Sequence, residues 1–389
     1  MEGEQMKLAE EKGNVPDIDR TFLASVLKRL VGDSGATADN WSIRSIGKGT
    51  RNFVTEGIYR VEGFASADAG IIPWSIIVKI VRPDDERQDP AHYNYWRREA
   101  LAYRSGLLAR LPAGLRAPIC YAVEEREDGS IRLWLEDIRG NQDEAWDDGQ
   151  FAYAAGELGR LQGHFLQKES LADETWLNRA WLRSWVSQCR RFQPWTPGKT
   201  AAGFYTDNRI EHLAERFNLA NGLFDEWVSA LERLPRTLAH QDFYQDNLLI
   251  LHDAAGRKEL VAIDWQFASV SGVGEDLGRF YGLTVSRGNI PFERLEELRL
   301  LLLEAYIEGM RASGWSGDER MIRLGFLASF AIRSVWEVPK LLSKIAETEE
   351  KPERESAETE KLIQVAAMQM ELVEDVEGLR RSLDETSAG

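Results

Sequence analysis

The sequence predicts an α+β chain of two lobes: a small antiparallel sheet carrying one main helix, then a larger, mostly helical lobe. Three observations carry this. Residues 41–82 and 118–138 read as short runs rich in β-branched and aromatic residues, broken by turn signals. One helical pattern separates the two runs. Beyond residue 141 apolar residues recur mainly at helical spacing, and 389 residues suffice for two cores.

The elements follow in order. Residues 1–15 are polar, and "DIDRTFLASVLKRLVG" (17–32) predicts a capped helix with Phe22, Val26, Leu27 and Leu30 on one side. "WSIRSIG", "FVTEGIYRVEG" and "WSIIVKIV" predict strands, and "PAHYNYWRREALAYRSGLLARL" (90–111) a helix. "PICYAVEE" and "IRLWLEDI" predict two further strands around an acidic-glycine turn at 127–129. "GQFAYAAGELGRLQGHFLQ" and "ETWLNRAWLRSWVSQCRRF" predict helices, as do 292–313 and 318–347. Between these pairs, "RTLA", "NLLIL" and "ELVAIDW" predict short strands with tight turns. The charged stretch "AETEEKPERESAETEK" precedes a final amphipathic helix, 355–384, with Leu362, Val365, Leu372, Val376 and Leu379 on one side. The expected divisions are 1–40 (extension and helix), 41–140 (small lobe), 141–349 (large lobe) and 350–389 (charged linker and helix).

Composition narrows the function. A hydrophobic share of 43% and a charged share of 29% are ordinary for a soluble globular protein. No run approaches the roughly 18 apolar residues of a membrane helix, and "MEGEQMKLAEEKG" lacks a signal-peptide pattern. Cys120 and Cys189 stand far apart without metal-site spacing, which points to a reducing cytoplasm. A formal charge of -16 argues against a nucleic-acid surface and is compatible with a cationic small-molecule partner. A homodimer is compatible with the chain.

One constellation carries chemistry. Phosphoryl transfer from a nucleotide needs a loop over the phosphates, a cation against them, oxygen ligands for Mg²⁺ and a carboxylate for the attacking hydroxyl. "SIGKGTRNFV" (45–54) offers Gly47 and Gly49 between two strand candidates. Lys79 lies in the β-branched run "SIIVKIV", and a lysine there is costly without a partner; Glu99 in the following helix could supply one. In "LAHQDFYQDNLLIL" (238–251), Asp242 could accept a hydroxyl proton while Asn247 offers an amide oxygen to a metal. Asp264 ends the apolar run "LVAIDW", where a carboxylate needs a partner or a metal.

These motifs resemble the protein-kinase-like fold in its aminoglycoside phosphotransferase and choline kinase branch. "HQDFYQDNLLI" is similar to that branch's H-G-D-x-x-x-x-N loop, and "AIDWQFASVSGVGEDLGRF" to its I-D-W segment with a later Asp-Leu pair. The resemblance spans 41–345 and implies an ATP- or GTP-dependent kinase using Mg²⁺ and acting on a small-molecule hydroxyl. It implies that Asp242 is the catalytic base and that Asn247 and Asp264 are metal ligands. Gly47, Gly49, Asn52 and Lys79 would serve the nucleotide phosphates, with Glu99 holding Lys79. Glu136 and Ile138, in the connection between lobes, would offer backbone atoms to the base. His240 and Asp276 would be structural supports. The expected acceptor is an aminoglycoside or similar natural product, giving antibiotic resistance; the alternative is choline, a sugar or another small alcohol.

The chain departs from the branch at Gln241, where Gly is usual, and at Gln266, where many relatives are acidic. No D-F-G or A-P-E appears, which argues against a protein kinase. A non-catalytic pseudo-kinase would lack one of the residues above, and none is missing. "TPGKT" (196–200) is not a phosphate loop, because Gln193 stands where its first Gly is needed. The acidic "NQDEAWDDG" (141–149) could meet a cationic acceptor but reads first as a solvated turn. His92, His164, His212 and His252 show no metal-ligand spacing. Leu177, Trp181 and Trp185 recur every four residues, the spacing of helix packing, and Trp residues in 176–195 are candidates for the acceptor pocket.

Overall fold

The structure, a computed structural model, describes residues 16–46, 54–140, 145–192, 208–252, 255–288, 290–334, 338–339, 341 and 357–388. These form two compact units. One contains the described residues up to Asp85 together with Pro118–Arg139; the other contains Glu86–Ala117 and the described residues from Gly140 onward.

The first unit begins with helix α1, Arg20–Val31. Asp19 caps it by accepting from the Phe22 N–H at 2.7 Å, and Gly32, at φ 73°, ends it in the left-handed conformation that favours glycine. Strands β1 (Thr37–Ser45), β2 (Thr55–Ala67) and β3 (Gly70–Val81) follow. β3 is joined by two strands from the second segment, numbered below, to complete a five-stranded antiparallel sheet. On β3 burial alternates from Trp74 to Val78 and is then continuous to Val81; Trp74, Ile76, Val78 and Ile80 pack with Leu23, Val26 and Leu27 of α1.

In the second unit, helix α2 spans only Arg98–Arg104. The sequence pattern suggests a helix from residue 90, and Arg98 explains the difference. Its fully buried guanidinium donates to the carbonyls of Tyr93, Pro90 and His92 at 2.6–2.8 Å, so these oxygens are held in a turn rather than in a helical ladder. Strand β4 (Leu115–Arg116) closes this segment. The chain then adds β5 (Cys120–Glu125) and β6 (Ile131–Glu136) to the first unit's sheet, whose order is β1-β2-β3-β6-β5.

The rest is mainly helical: α3 (Asp148–Gln167), α4 (Trp181–Phe192) and α5 (Asn208–Arg233). Asp147 and Gln150 cap α3 reciprocally. Strands β7 (Arg236–Ala239), β8 (Leu248–His252), β9 (Lys258–Ala262) and β10 (Ser269–Gly272) come next. Helices α6 (Glu275–Arg287), α7 (Leu295–Ala312), α8 (Glu319–Ser334) and α9 (Ala357–Ala388) complete the unit. α3 and α7 meet along a glycine seam, where a Cβ on Gly159 would strike the Tyr306 carbonyl and one on Gly309 the Gly156 carbonyl. α9 packs on α5 and α8, burying Ile363, Val365, Ala366, Met370 and Val376. Glu377 of α9 accepts from the indole N–H of buried Trp227 at 2.6 Å. No helix among the described residues is long and apolar enough to cross a membrane.

Candidate active site

The opening of the functional loop is a backbone problem. β7 ends at Ala239 and β8 starts at Leu248, so residues 240–247 must turn the chain between two short strands. Gln241 makes the turn at φ 68°, in the region where an L side chain costs about 1–2 kcal/mol. Its surroundings hold it there. The Gln241 N–H donates to Asp276 Oδ1 at 2.7 Å, and its amide donates to Ser269 Oγ at 2.8 Å. Arg333 on α8 donates to both the Gln241 side-chain oxygen (2.9 Å) and its carbonyl (2.6 Å). Glycine would need none of these side-chain bonds, which is why the departure from H-G-D is tolerated.

His240 is fully buried. Its N–H donates to Asp276 Oδ2 at 2.6 Å, its ring Nε2 lies 2.9 Å from the Ile263 carbonyl, and its Nδ1 accepts from the Asp242 N–H at 3.3 Å. That pattern fits the tautomer with the proton on Nε2. The ring also leans on Trp265 at 4.6 Å between centroids. His240 and Asp276 therefore sit where a structural support should.

Asp242 projects from this frame with its carboxylate divided between two neighbours. Oδ2 accepts from the Asn247 side-chain amide at 3.1 Å, and the same amide donates to the Asp242 carbonyl at 2.9 Å. Asn247 thereby spends its nitrogen locally and keeps Oδ1 as its remaining polar atom. Oδ1 of Asp242 accepts instead from Arg279, at 3.0 Å from Nη2 and 3.3 Å from Nε.

The β8–β9 hairpin brings Asp264 to the same end as Asn247. Leu248 pairs with Ala262, and one step further the Ile263 N–H donates to the Asn247 carbonyl at 2.9 Å. Asp264 follows directly at φ 62°, a second non-glycine residue in left-handed backbone. Such conformations concentrate at functional sites because they persist only where the surroundings enforce them. Asn247 and Asp264 form an oxygen-only pair, the chemistry that suits Mg²⁺ held by one or two protein groups plus phosphates. Among the described residues no cluster of three His, Cys, Asp or Glu competes as a metal site.

Helix α6 acts as a ruler along the loop. Asp276 takes the N–H groups of residues 240 and 241, Arg279 takes Asp242, Thr284 donates to Gln245, and Arg287 pairs with Asp246 through both guanidinium nitrogens. Burial pushes the Asp276 carboxyl above its usual range, opposed by His240 and the two N–H donors. Burial also lifts Glu275 to about 7, against Arg236 and the Gly272 N–H. Burial lowers Arg333 to about 9, with Arg279 adding repulsion and Asp242 opposing it.

Gln266, where the sequence departs from the resembled branch, is buried and donates to Asn94 Oδ1, tying the segment before α2 to the turn after Asp264. The same segment is held by Trp181, which donates to the Tyr93 carbonyl at 2.8 Å, and by Asn178, which donates to the Ala91 carbonyl at 2.6 Å. Trp181 is thus largely a core residue, while Trp185, one turn on, is only partly buried.

The remaining expected residues belong to other elements. Lys79 sits in β3 opposite Leu133 of β6 and is 4% exposed; Glu99 lies in α2 and is buried. Glu136 ends β6 and donates its N–H to the Ile119 carbonyl at 2.8 Å; Ile138 follows outside any strand or helix. Between them, Asp137 accepts from Ser75 Oγ (2.6 Å) and Arg60 (2.9 Å), fixing this connection. Gly47, Gly49 and Asn52 lie outside the described residues, as do Gln193 and the "TPGKT" stretch. Two residues close to Asp242 escape sequence reasoning. Arg279 had a signal, three residues after Asp276 on one helical face. Arg333, over ninety residues downstream of Asp242, had none.

A model of the phosphotransferase enzyme family matches residues 74–316. Among solved structures, the chain is similar to a microcompartment-associated aminopropanol kinase, at 14% identity over 93% of this chain and 98% of that one, with a TM-score of 0.54. It is similar to an amicoumacin kinase in complex with AMP-PNP and Ca²⁺, at 14% identity over 86% and 88%, with a TM-score of 0.50. A spectinomycin phosphotransferase matches at 14% identity over 93% and 99%, with a TM-score of 0.44. No curated protein sequence matches the chain.

Proposed function

As a chain that belongs to the phosphotransferase enzyme family, the protein moves a phosphoryl group; we propose that the donor is the γ-phosphate of ATP or GTP, the metal Mg²⁺ and the acceptor a hydroxyl of a small molecule. The observation that carries this reading is the division of the Asp242 carboxylate, one oxygen turned to Asn247 and the other away from it. Asp242 accepts the proton of the attacking hydroxyl as the new O–P bond forms and the bond to the departing nucleoside diphosphate breaks. Asn247 Oδ1 and Asp264 are the ligands for Mg²⁺, which would neutralise charge on the phosphates. Lys79 is assigned to the phosphates, Glu99 to its support, and Glu136 and Ile138 to the nucleotide base, as the resemblance implies; Gly47, Gly49 and Asn52 complete that set. His240 and Asp276 hold the loop.

The acceptor class read from the sequence is an antibiotic-like natural product, with resistance as the biological outcome, or else a metabolic alcohol. The kinases named above act on an amino alcohol and on an antibiotic, which keeps both classes open. The deciding experiment is release of nucleoside diphosphate from Mg·ATP and Mg·GTP across hydroxylated amines, sugars, acids and antibiotics. Asp242→Asn should lower turnover by roughly 10²–10⁴ while leaving nucleotide affinity in place. A wild type that binds Mg·ATP and phosphorylates nothing, or an Asp242→Asn variant of undiminished rate, would overturn it.

A further inference from the structure

We propose that Arg279 is an oxyanion subsite of the acceptor pocket, so that the preferred acceptor carries a carboxylate or phosphate close to the hydroxyl it offers to Asp242. The inference rests on the proposed role of Asp242 and specifies the substrate class of that same site.

The argument starts from the two edges of one carboxylate. Asp242 Oδ2 faces Asn247, on the side of the proposed metal ligands; Oδ1 faces Arg279, which projects from α6. An acceptor hydroxyl that reaches Asp242 away from the metal side must come in beside this guanidinium. Among the described residues Arg279 bonds through Nε and Nη2, both to the same oxygen, so Nη1 can turn to another partner. Its side chain is 25% exposed and that of Asp242 18%, so both can be reached from solvent. A planar guanidinium with parallel donors fits the paired oxygens of a carboxylate or phosphate.

Neighbouring charge points the same way. Arg333, fully buried behind Gln241, adds a second guanidinium near enough to Arg279 for the two to repel. Arg287 is different: both its terminal nitrogens are committed to Asp246, and it lies over the Tyr244 ring at 4.8 Å. The Arg333 guanidinium lies over the rings of Trp181 at 4.7 Å and Trp185 at 5.9 Å, which places α4 along this side of the site. An ammonium group on the acceptor would therefore meet the Arg279 guanidinium beside Asp242, although the chain as a whole carries a formal charge of -16.

The test uses small alcohols matched in size and different in charge: D-glycerate, glycerol 3-phosphate, glycerol and 1-amino-2-propanol. Binding to the full chain is followed by Trp fluorescence and by the shift in unfolding temperature, without nucleotide. Phosphoryl transfer from Mg·ATP is followed separately. At least one of the two anions should bind about tenfold or more tightly than 1-amino-2-propanol, and comparison of the two separates a carboxylate from a phosphate preference. Arg279→Gln should cut that ratio by about tenfold, and Arg279→Lys, which keeps the charge and serves if the glutamine variant fails to fold, should retain part of it. Equal or tighter binding of the amine, undetectable binding of both anions, or an unchanged ratio in Arg279→Gln overturns the proposal. So does an equal loss of turnover with every acceptor, which would assign Arg279 to the transferred phosphoryl group instead. Anion binding that persists without phosphorylation would leave the subsite standing and count against the kinase reading alone.

Discussion

Arg333→Met tests how a buried cation on α8 governs a loop far from it in sequence. Burial and Arg279 repulsion, partly offset by Asp242, Asp276 and Glu275, bring the guanidinium from 12.5 to about 9, a net cost of about 5 kcal/mol for keeping it charged. Methionine removes that cost. Against it stand two charge-assisted hydrogen bonds to Gln241, at roughly 1.5–3 kcal/mol each, and a cation–π contact with Trp181 at 4.7 Å, worth about 1–2 kcal/mol. The opposing sums nearly cancel, so the variant should stay folded, with stability changed by no more than about 3 kcal/mol. Activity should not survive so well. Gln241, at φ 68°, loses two of its ties, its left-handed strain of about 1–2 kcal/mol can relax, and Asp242 moves with it. A displacement of this kind costs about 10² in kcat/KM. Gln241→Gly removes the strain and the side-chain bonds to Arg333 and Ser269, keeping the backbone ones, so combined with Arg333→Met it should show coupling of roughly 1–3 kcal/mol. Urea unfolding and steady-state turnover of the four proteins measure these quantities. An Arg333→Met enzyme within about twofold of wild-type kcat/KM, or strict additivity in the cycle, refutes the reasoning.

Three further outcomes follow from the same geometry. Asp264→Asn keeps a side chain that tolerates φ 62° but removes the charge, so Mg²⁺-dependent turnover should fall about 10² or more; an unchanged magnesium titration removes Asp264 from the ligand set. Glu275, at about 7 in the folded state against 4.5 unfolded, binds its proton more tightly when folded. Its stabilising share is complete below the unfolded value and is lost as pH rises toward 7, by up to about 3 kcal/mol. Glu275→Gln should flatten that fall in urea unfolding, and identical pH profiles would contradict it. Glu377→Ala leaves the buried Trp227 indole N–H without its acceptor and should cost about 1–3 kcal/mol in thermal unfolding; an unmoved transition would show that α9 contributes little there.

Legibility in the sequence followed how local the physics is. The β-branched run around Lys79, the capped α1 and the loop from His240 to Asn247 show in a few residues each, because alternation, caps and spacing are short-range signals. The hairpin that brings Asp264 beside Asn247 is equally local. By contrast, the pattern at 90–97 suggests helix because apolar spacing cannot register that Arg98 turns inward and captures three carbonyls. Gln241 reads as a harmless departure from glycine; only the fold reveals that Arg333, Ser269 and Asp276 are what make it harmless. Arg279 occupies the middle ground, on the same helix as Asp276, yet no spacing rule says that its guanidinium reaches Asp242 rather than solvent.

The segment Glu86–Ala117 leaves the first unit between β3 and β5 and belongs to the second. At the ribosome this imposes an order of events. All five strands of the sheet have been made once residue 136 emerges, so that sheet can close early. The excursion carrying Glu99 must wait, because its anchors, Asn178, Trp181 and Gln266, are synthesised roughly 80–170 residues later than the groups they grip. Arg98 and Trp96 meanwhile tie the excursion to itself, Arg98 through the carbonyls of Pro90, His92 and Tyr93 and Trp96 through Gln88.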